Sequence, residues 1–423
     1  MNLRKIELNN FRGISKLEVN LHPKMTVFVG VNGAGKTSLL DAIACLLSWI
    51  TARIRHENSS GRPIRDNDIK NKTPYSEIKA TDIDGNEWRL VKGQKGVPKP
   101  NVSTDLKFVN EFAKKIQNHL QDNELTTSIP LFVYYPINRA ILDIPLRIKS
   151  KHSFELLDAY DESLTSAANF RSFFEWYRNR EDLENEIISR KVVNSIFPDE
   201  NKTEGICPDK QLSAVRDAIS DFLPGYTKLM VKRSPLKMTI NKEGTEILID
   251  QLSDGEKCVV GVVGDLARRL AIANPTSSNP LHGEGIILID EIELHLHPKW
   301  QRTFVVSLQR VFPNCQFILT THSPQSIGEL LPEQIRLLVH EKEGLICITP
   351  NQTLGLDSSQ ILEELMDTPS RDLSTKEALL AIYNLIDEEK YEDAEEAINT
   401  LKKQLNGDIP EIVKAEALIN MLK

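Results

Sequence analysis

Gly30-Val31-Asn32-Gly33-Ala34-Gly35-Lys36-Thr37 is the stretch that decides the fold of this 423-residue chain. It follows the short apolar run Met25–Val29 and precedes a segment with helical spacing through Leu39, Leu40, Ile43, Leu46 and Leu47, from Lys36 to about Trp49. Strand, glycine-rich turn and helix in that order are the context a phosphate-binding loop needs, because loop N–H groups and a helix N-terminus together cradle phosphate oxygens. The spacing assigns Asn32, Gly33, Gly35, Lys36, Thr37 and Ser38 to that cradle. Lys36 would neutralise the terminal phosphates, and the Thr37 hydroxyl would ligate Mg²⁺.

Three later segments complete the pattern. Ile286–Ile289 is an apolar run ending in Asp290-Glu291, which sets two carboxylates at the carboxyl edge of a sheet. Asp290 is expected to hold Mg²⁺ and Glu291 to polarise the attacking water, although adjacent carboxylates at a strand end can also be a solvated turn or a helix cap. Phe317–Thr320 is a second buried strand followed by Thr321-His322-Ser323-Pro324, where the imidazole of His322 could sense a terminal phosphate. Leu252-Ser253-Asp254-Gly255-Glu256 opens a helix of about 257–272, and read in isolation it is a plain N-cap.

Around these motifs, residues 3–9 and 16–21 read as a hairpin turning at Phe11-Arg12-Gly13, and 75–93 as a second hairpin about Asp84-Gly85-Asn86. Leu131–Tyr135 reads as a buried strand. Strands resume over 226–250, and the block 252–340 runs helix, strand, helix, strand, strand. The tail after about 355 is helical, with Leu379, Ile382 and Ile386 on one face and Ala394, Ala397, Ile398 and Leu401 on another. The expected organisation is an ATPase lobe over 1–150 with the phosphate loop, an inserted helical subdomain over 151–225, a second lobe over 226–350 and a helical region over 351–423. The fold class is α/β, a mixed sheet with a parallel core.

The net charge of −8 gives no general attraction to nucleic acid or anionic membranes, so phosphate contact would need a local patch. Arg53 to Lys72, with Arg55, Arg62, Arg65 and Lys70, and Arg147, Lys149 and Lys151 are two such stretches, each also readable as solvated surface. The five cysteines include no Cys-x-x-Cys pair, which argues against a zinc hook or redox dithiol. The N-terminus lacks an apolar signal core and no membrane segment is expected. The aromatics of 170–177 read as core in preference to a base-stacking platform.

Taken together, Gly30–Thr37, Leu252–Glu256, Ile286–Glu291 and Thr320–Ser323 resemble the ABC-type ATPase heads of the SMC and RecF kind over most of 1–345. Asp254 departs from the glycine usual in that signature. The resemblance implies ATP and Mg²⁺ as cofactors, with Ser253, Gly255 and Glu256 at the nucleotide of an opposing subunit. It therefore implies a head-to-head homodimer sandwiching ATP, and leaves a higher oligomer open. It also implies a dimer-facing loop at Leu294–Pro298, a nucleotide contact from Arg12, and Asn138 in place of a Mg²⁺-contacting glutamine. Transporter ATPases of the superfamily place the signature much closer to the phosphate loop than the 217 positions separating Lys36 from Ser253. The insert lacks the sustained heptads of a coiled-coil arm. The overcoming-lysogenization-defect nucleases share this head and append a Toprim domain, and the tail after 345 has neither the Asp-x-Asp nor the strand pattern of one, so no intrinsic nuclease is expected.

Tyr134–Ala140, Phe173–Glu186 and the segment from Gly355 to Arg371 are similar to the compact bacterial ATPases of the Septu and retron antiphage systems, the group that includes PtuA. That resemblance implies a cytoplasmic regulatory ATPase controlling a separate HNH nuclease, with the tail helices as a partner surface or a helical cap. The alternatives are a RecF-like ATPase that clamps DNA and a nucleotide-sensing scaffold with little turnover.

Overall fold

The computed structural model describes residues 1–98, 100–122, 127–137, 154–165, 170–196, 209–342 and 344–423. In chain order, β1 (Leu3–Phe11) and β2 (Ile14–Asn20) form a hairpin, β3 (Met25–Val29) enters the glycine loop and α1 (Lys36–Arg55) leaves it. β4 (Tyr75–Asp82), β5 (Glu87–Gly93), α2 (Lys107–Asp122) and β6 (Leu131–Tyr135) follow. After α3 (Phe170–Ile196) and α4 (Lys210–Phe222) come β7 (Tyr226–Arg233), β8 (Leu236–Lys242) and β9 (Thr245–Leu248). The last part of this unit holds α5 (Asp254–Ala273), β10 (Gly285–Ile289), α6 (Pro298–Val311), β11 (Cys315–Thr321), β12 (Ile335–Glu341) and β13 (Gly344–Ile348).

Six strands in the order β13-β12-β3-β11-β10-β6 build the central sheet. Every pair from β12 to β6 is parallel, and β13 closes the edge antiparallel to β12. The residues of β3, β6, β10 and β11 are all buried. Strands covered on both faces need continuous apolar runs, which is why these four were legible as runs without alternation. A four-stranded antiparallel sheet, β2-β1-β4-β5, and a three-stranded one, β7-β8-β9, complete the strands among the described residues. The β4–β5 turn is stitched by Asp82, whose carboxylate accepts from the N–H groups of Asp84 at 2.9 Å and Asn86 at 2.8 Å.

The aromatic run of α3 is core: Phe170, Phe173, Phe174, Trp176 and Tyr177 are each at most 2% exposed. Helix α1 is apolar enough by composition to cross a membrane, yet most of it is buried behind the central sheet. Two elements lay outside the sequence reading, α2 and β13. The first carries an apolar stripe, Phe108, Val109, Phe112, Ala113, Ile116 and Leu120, that the sequence reading passed over; only Val109 and Ala113 of it are fully buried.

The chain divides into two compact units, Met1–Gly355 and Leu356–Lys423. The second holds α7 (Leu373–Asp387), α8 (Tyr391–Leu405) and α9 (Pro410–Leu422), with a core of its own. Leu379, Ile382 and Ile386 pack there with Ala394, Ile398, Leu401, Ile412, Ala415 and Ile419, and Ala397 is only partly buried against them.

Candidate functional site

The parallel register places the motifs side by side. Val29 pairs with Thr321, and Ile289 with Leu319, so the chain leaves β3, β11 and β10 at one edge of the sheet. Neighbouring strands lie about 4.8 Å apart, and the crevice beyond the carboxyl ends of parallel strands is where such sheets bind ligands. The glycine loop leaves β3 at Gly30, His322 follows the end of β11, and Asp290-Glu291 follow β10. Segments nearly 300 positions apart in the chain thus meet at one edge.

Gly33 and Gly35 take φ of 83° and 92°, a left-handed backbone that costs glycine little and turns the loop tightly enough for α1 to begin at Lys36. The Lys36 ammonium folds back onto the loop, donating to the carbonyls of Gly30 at 2.8 Å and Val31 at 3.1 Å. Burial lowers its pKa, and the fields of Asp290, Glu291 and Glu293 oppose that effect. Asn32 and Gly33 are exposed at the loop tip, while Thr37 and Ser38 are half-buried at the start of α1.

Asp290 is wholly buried, and its N–H donates to the Tyr135 carbonyl of β6 at 2.9 Å. Thr320, also wholly buried, donates its hydroxyl to Asp290 and accepts the Glu291 N–H at 2.7 Å. Glu291 itself has φ of 45°, an uncommon backbone for a side chain of this size, so the turn is held open by its surroundings. Glu293 accepts from the Thr321 hydroxyl at 2.8 Å and from the His322 N–H. Burial lowers the pKa of His322 below its ordinary value and Lys36 adds to this, against the opposing pull of Glu293, Glu291 and Asp290. The imidazole is therefore neutral at pH 7 and can donate a hydrogen bond.

Ser253 caps α5 through a reciprocal box. Its hydroxyl oxygen accepts the Glu256 N–H at 3.4 Å, while the Ser253 N–H donates to the Glu256 carboxylate at 2.7 Å and the Ser253 hydroxyl donates to it at 2.8 Å. Lys242 at 2.8 Å and the Tyr226 hydroxyl also donate to Glu256. Burial would raise the Glu256 pKa, but these donors outweigh it and hold the carboxylate at about 2. Glu256 is thus committed to Ser253 and to the β7–β8 hairpin. Gly255 abuts the loop after β10 so closely that a Cβ there would lie 2.5 Å from the His295 carbonyl oxygen.

Arg12 is similarly committed: its guanidinium donates to Asp41 of α1 at 2.7 Å and to Asp68 at 2.8 Å. Asn138 lies outside the described residues, as do Arg147, Lys149 and Lys151. In the other basic stretch, Arg55 bonds Leu157 and Asp161, Arg62 bonds Leu164, and Lys70 bonds Gly13 and Ser15. Much of that positive charge is already used within the fold.

A Thr37 hydroxyl and the Asp290 carboxylate are hard oxygen donors, a small set of the kind that suits Mg²⁺ shared with substrate phosphates. No cluster of three or more His, Cys, Asp or Glu suited to a metal occurs among the described residues. The sequence reading missed Thr320, Glu293, Tyr226 and Lys242. Glu293 was within reach, as the third carboxylate of Asp290-Glu291-Ile292-Glu293; Tyr226 and Lys242 carry no local signal.

A family model described as "AAA domain, putative AbiEii toxin, Type IV TA system" matches residues 25–328. The protein named "Retron Ec83 probable ATPase" from Escherichia coli is 31% identical, over 97% of this chain and 85% of its own. "Septu protein PtuA" from Bacillus thuringiensis is 22% identical, over 96% of this chain and 95% of its own. Among solved structures, an SMC head bound to the C-winged helix domain of ScpA aligns with a TM-score of 0.43 at 15% identity, covering 82% of this chain and 97% of that one. The chain belongs to this AAA-domain family, together with the retron probable ATPases it is similar to.

Proposed function

We propose that this protein is the ATP-binding and ATP-hydrolysing regulatory subunit of a bacterial antiphage complex. In this reading it is cytoplasmic, and its nucleotide state controls a separate HNH-type nuclease through head-to-head dimerisation. The observation that carries the ATPase part is the convergence of Lys36, Asp290, Glu291 and His322 at one sheet edge; the defence setting is supported by the names of the relatives.

Loop N–H groups and Lys36 bind the phosphates, and the carbonyl bonds of Lys36 are exchanged for phosphate oxygens as nucleotide enters. Mg²⁺ would be held by Thr37 and Asp290 and would neutralise charge on the transferring phosphoryl group. Glu291 orients and polarises the attacking water. Neutral His322 donates a hydrogen bond to the terminal phosphate. Ser253 and Gly255 address the nucleotide of the opposing subunit, with Glu256 and Lys242 fixing the Ser253 rotamer.

The test is Glu291→Gln. The variant should bind ATP at wild-type affinity, lose turnover by at least about 100-fold and accumulate as an ATP-trapped dimer in light scattering. Undiminished turnover would remove Glu291 from the mechanism, and failure of the wild type to bind ATP would overturn the whole reading. Pull-down of the tagged wild type from its host, with and without ATP, tests the partner. A stoichiometric HNH protein supports the regulatory role, whereas salt-sensitive DNA binding by a bare dimer would favour a DNA clamp.

A further inference from the structure

The end of β11 is fastened to the loop after β10 by side chains that the ATPase reading does not use. Thr320 is 0% exposed, so no water can replace its hydroxyl. A single hydroxyl donates one proton and can also accept, and here it does both toward the hydrolytic pair: it donates to the Asp290 carboxylate and accepts from the Glu291 N–H. One turn further on, the two oxygens of Glu293 divide between the Thr321 hydroxyl and the His322 N–H. The Ile292 N–H adds a bond to the Thr320 carbonyl at 3.0 Å. From one strand end, three consecutive residues therefore set the direction of a carboxylate, the backbone of the next carboxylate-bearing residue and the backbone that carries the imidazole.

We propose that Thr320 and Glu293 are positioning residues that lock Asp290, Glu291 and His322 into one rigid unit. The inference rests on the ATPase reading above and says how its groups keep their relative placement. The left-handed backbone of Glu291 makes such a lock necessary, since that conformation is disfavoured for a residue with a Cβ and relaxes when its surroundings allow. Reaching groups must be held to well under 1 Å for water attack to proceed, so loosening the lock lowers the rate more than it lowers nucleotide affinity.

Thr320→Val keeps the shape and removes the hydroxyl, whereas Thr320→Ser keeps the hydroxyl. The expected result for Thr320→Val is a kcat about 10- to 100-fold lower with KM for ATP changed less than about 3-fold, and recovery to within about 3-fold of wild type in Thr320→Ser. Binding of a fluorescent non-hydrolysable ATP analogue provides a readout independent of turnover. Its affinity without Mg²⁺ should match wild type, and the gain on adding Mg²⁺ should shrink in Thr320→Val.

Glu293→Ala, on a half-exposed loop, gives a second arm should Thr320→Val fail to fold. It should lower kcat by about 10-fold with nucleotide affinity retained. Wild-type kcat in both Thr320→Val and Glu293→Ala would overturn the proposal while leaving the ATPase reading intact. So would equal losses in Thr320→Val and Thr320→Ser, which would mark a packing role. By contrast, no effect of Glu291→Gln on turnover would strike the ATPase reading itself.

Discussion

Asp265, in the middle of α5, is wholly buried and accepts from Arg268 at 2.7 Å, from Arg269 at 2.7 Å and from the Tyr135 hydroxyl at 3.0 Å. Asp265→Asn keeps the size of the side chain, removes its charge and turns an amide donor toward two guanidinium groups. The two arginines do not suffer equally. Arg269 keeps the carbonyls of Ala159 at 2.8 Å and Asp161 at 2.9 Å, whereas Arg268 has its Nε buried without a hydrogen-bond partner. Burial already lowers the Arg268 pKa, against the pull of Asp265. Removing one partner of a buried pair costs about 3–5 kcal/mol, because the other charge stays desolvated. An unfolding entropy of about 2.1 cal/mol/K per residue, taken over Met1–Gly355, gives roughly 0.75 kcal/mol per degree and hence a Tm lower by about 4–7 °C. Thermal and urea unfolding followed by circular dichroism measure this directly. The double variant Asp265→Asn with Arg268→Leu should recover part of the loss, since it removes the stranded charge. A Tm shift below about 2 °C in the single variant, or a double variant less stable than the single, would refute the reasoning.

Three further outcomes follow from the start of α5. Gly255→Ala forces a Cβ against the His295 carbonyl oxygen and the Trp300 ring, so α5 and the loop after β10 must separate. Stability should fall by about 1–3 kcal/mol with a larger proportional loss of ATP turnover, while Asp254→Ala, at a side chain 83% exposed, should stay within about 0.5 kcal/mol of wild type. Glu256 titrates at about 2 in the folded state against 4.5 ordinarily, so its bonds stabilise the fold above pH 4.5 and that contribution is lost as pH falls toward 2. The Tm difference between wild type and Glu256→Gln should therefore be largest above pH 4.5 and shrink below it; a difference that grows in acid would reverse the assigned sign.

Much of the site could be read without coordinates because each of its motifs is local. A glycine loop between strand and helix, a carboxylate pair ending one apolar run and a Thr-His-Ser ending another are each specified within about ten positions, and buried parallel strands announce themselves by unbroken apolar sequence. The tail helices were legible for a similar reason, since Leu379, Ile382 and Ile386 recur with helical period. Helix α2 was passed over although Phe108, Phe112, Ile116 and Leu120 recur with the same period, each only half-buried.

The sequence by itself determined where the glycine loop, the carboxylate pair and the Thr-His-Ser segment fall and that the sheet had a parallel core. Only the tertiary structure decided which of those residues meet, and how they are held. Strand order put β11 between β3 and β10, which set Thr320 against Asp290 and Glu291, and Glu293 against His322. It also turned Glu256 onto Tyr226 and Lys242, and Arg12 onto Asp41 and Asp68. These bonds join residues from different elements, with hydroxyl and carboxylate partners that have no fixed spacing in the chain. A hydrogen bond requires its partners within about 3 Å, and that proximity is a property of the packed sheet, not of the sequence interval.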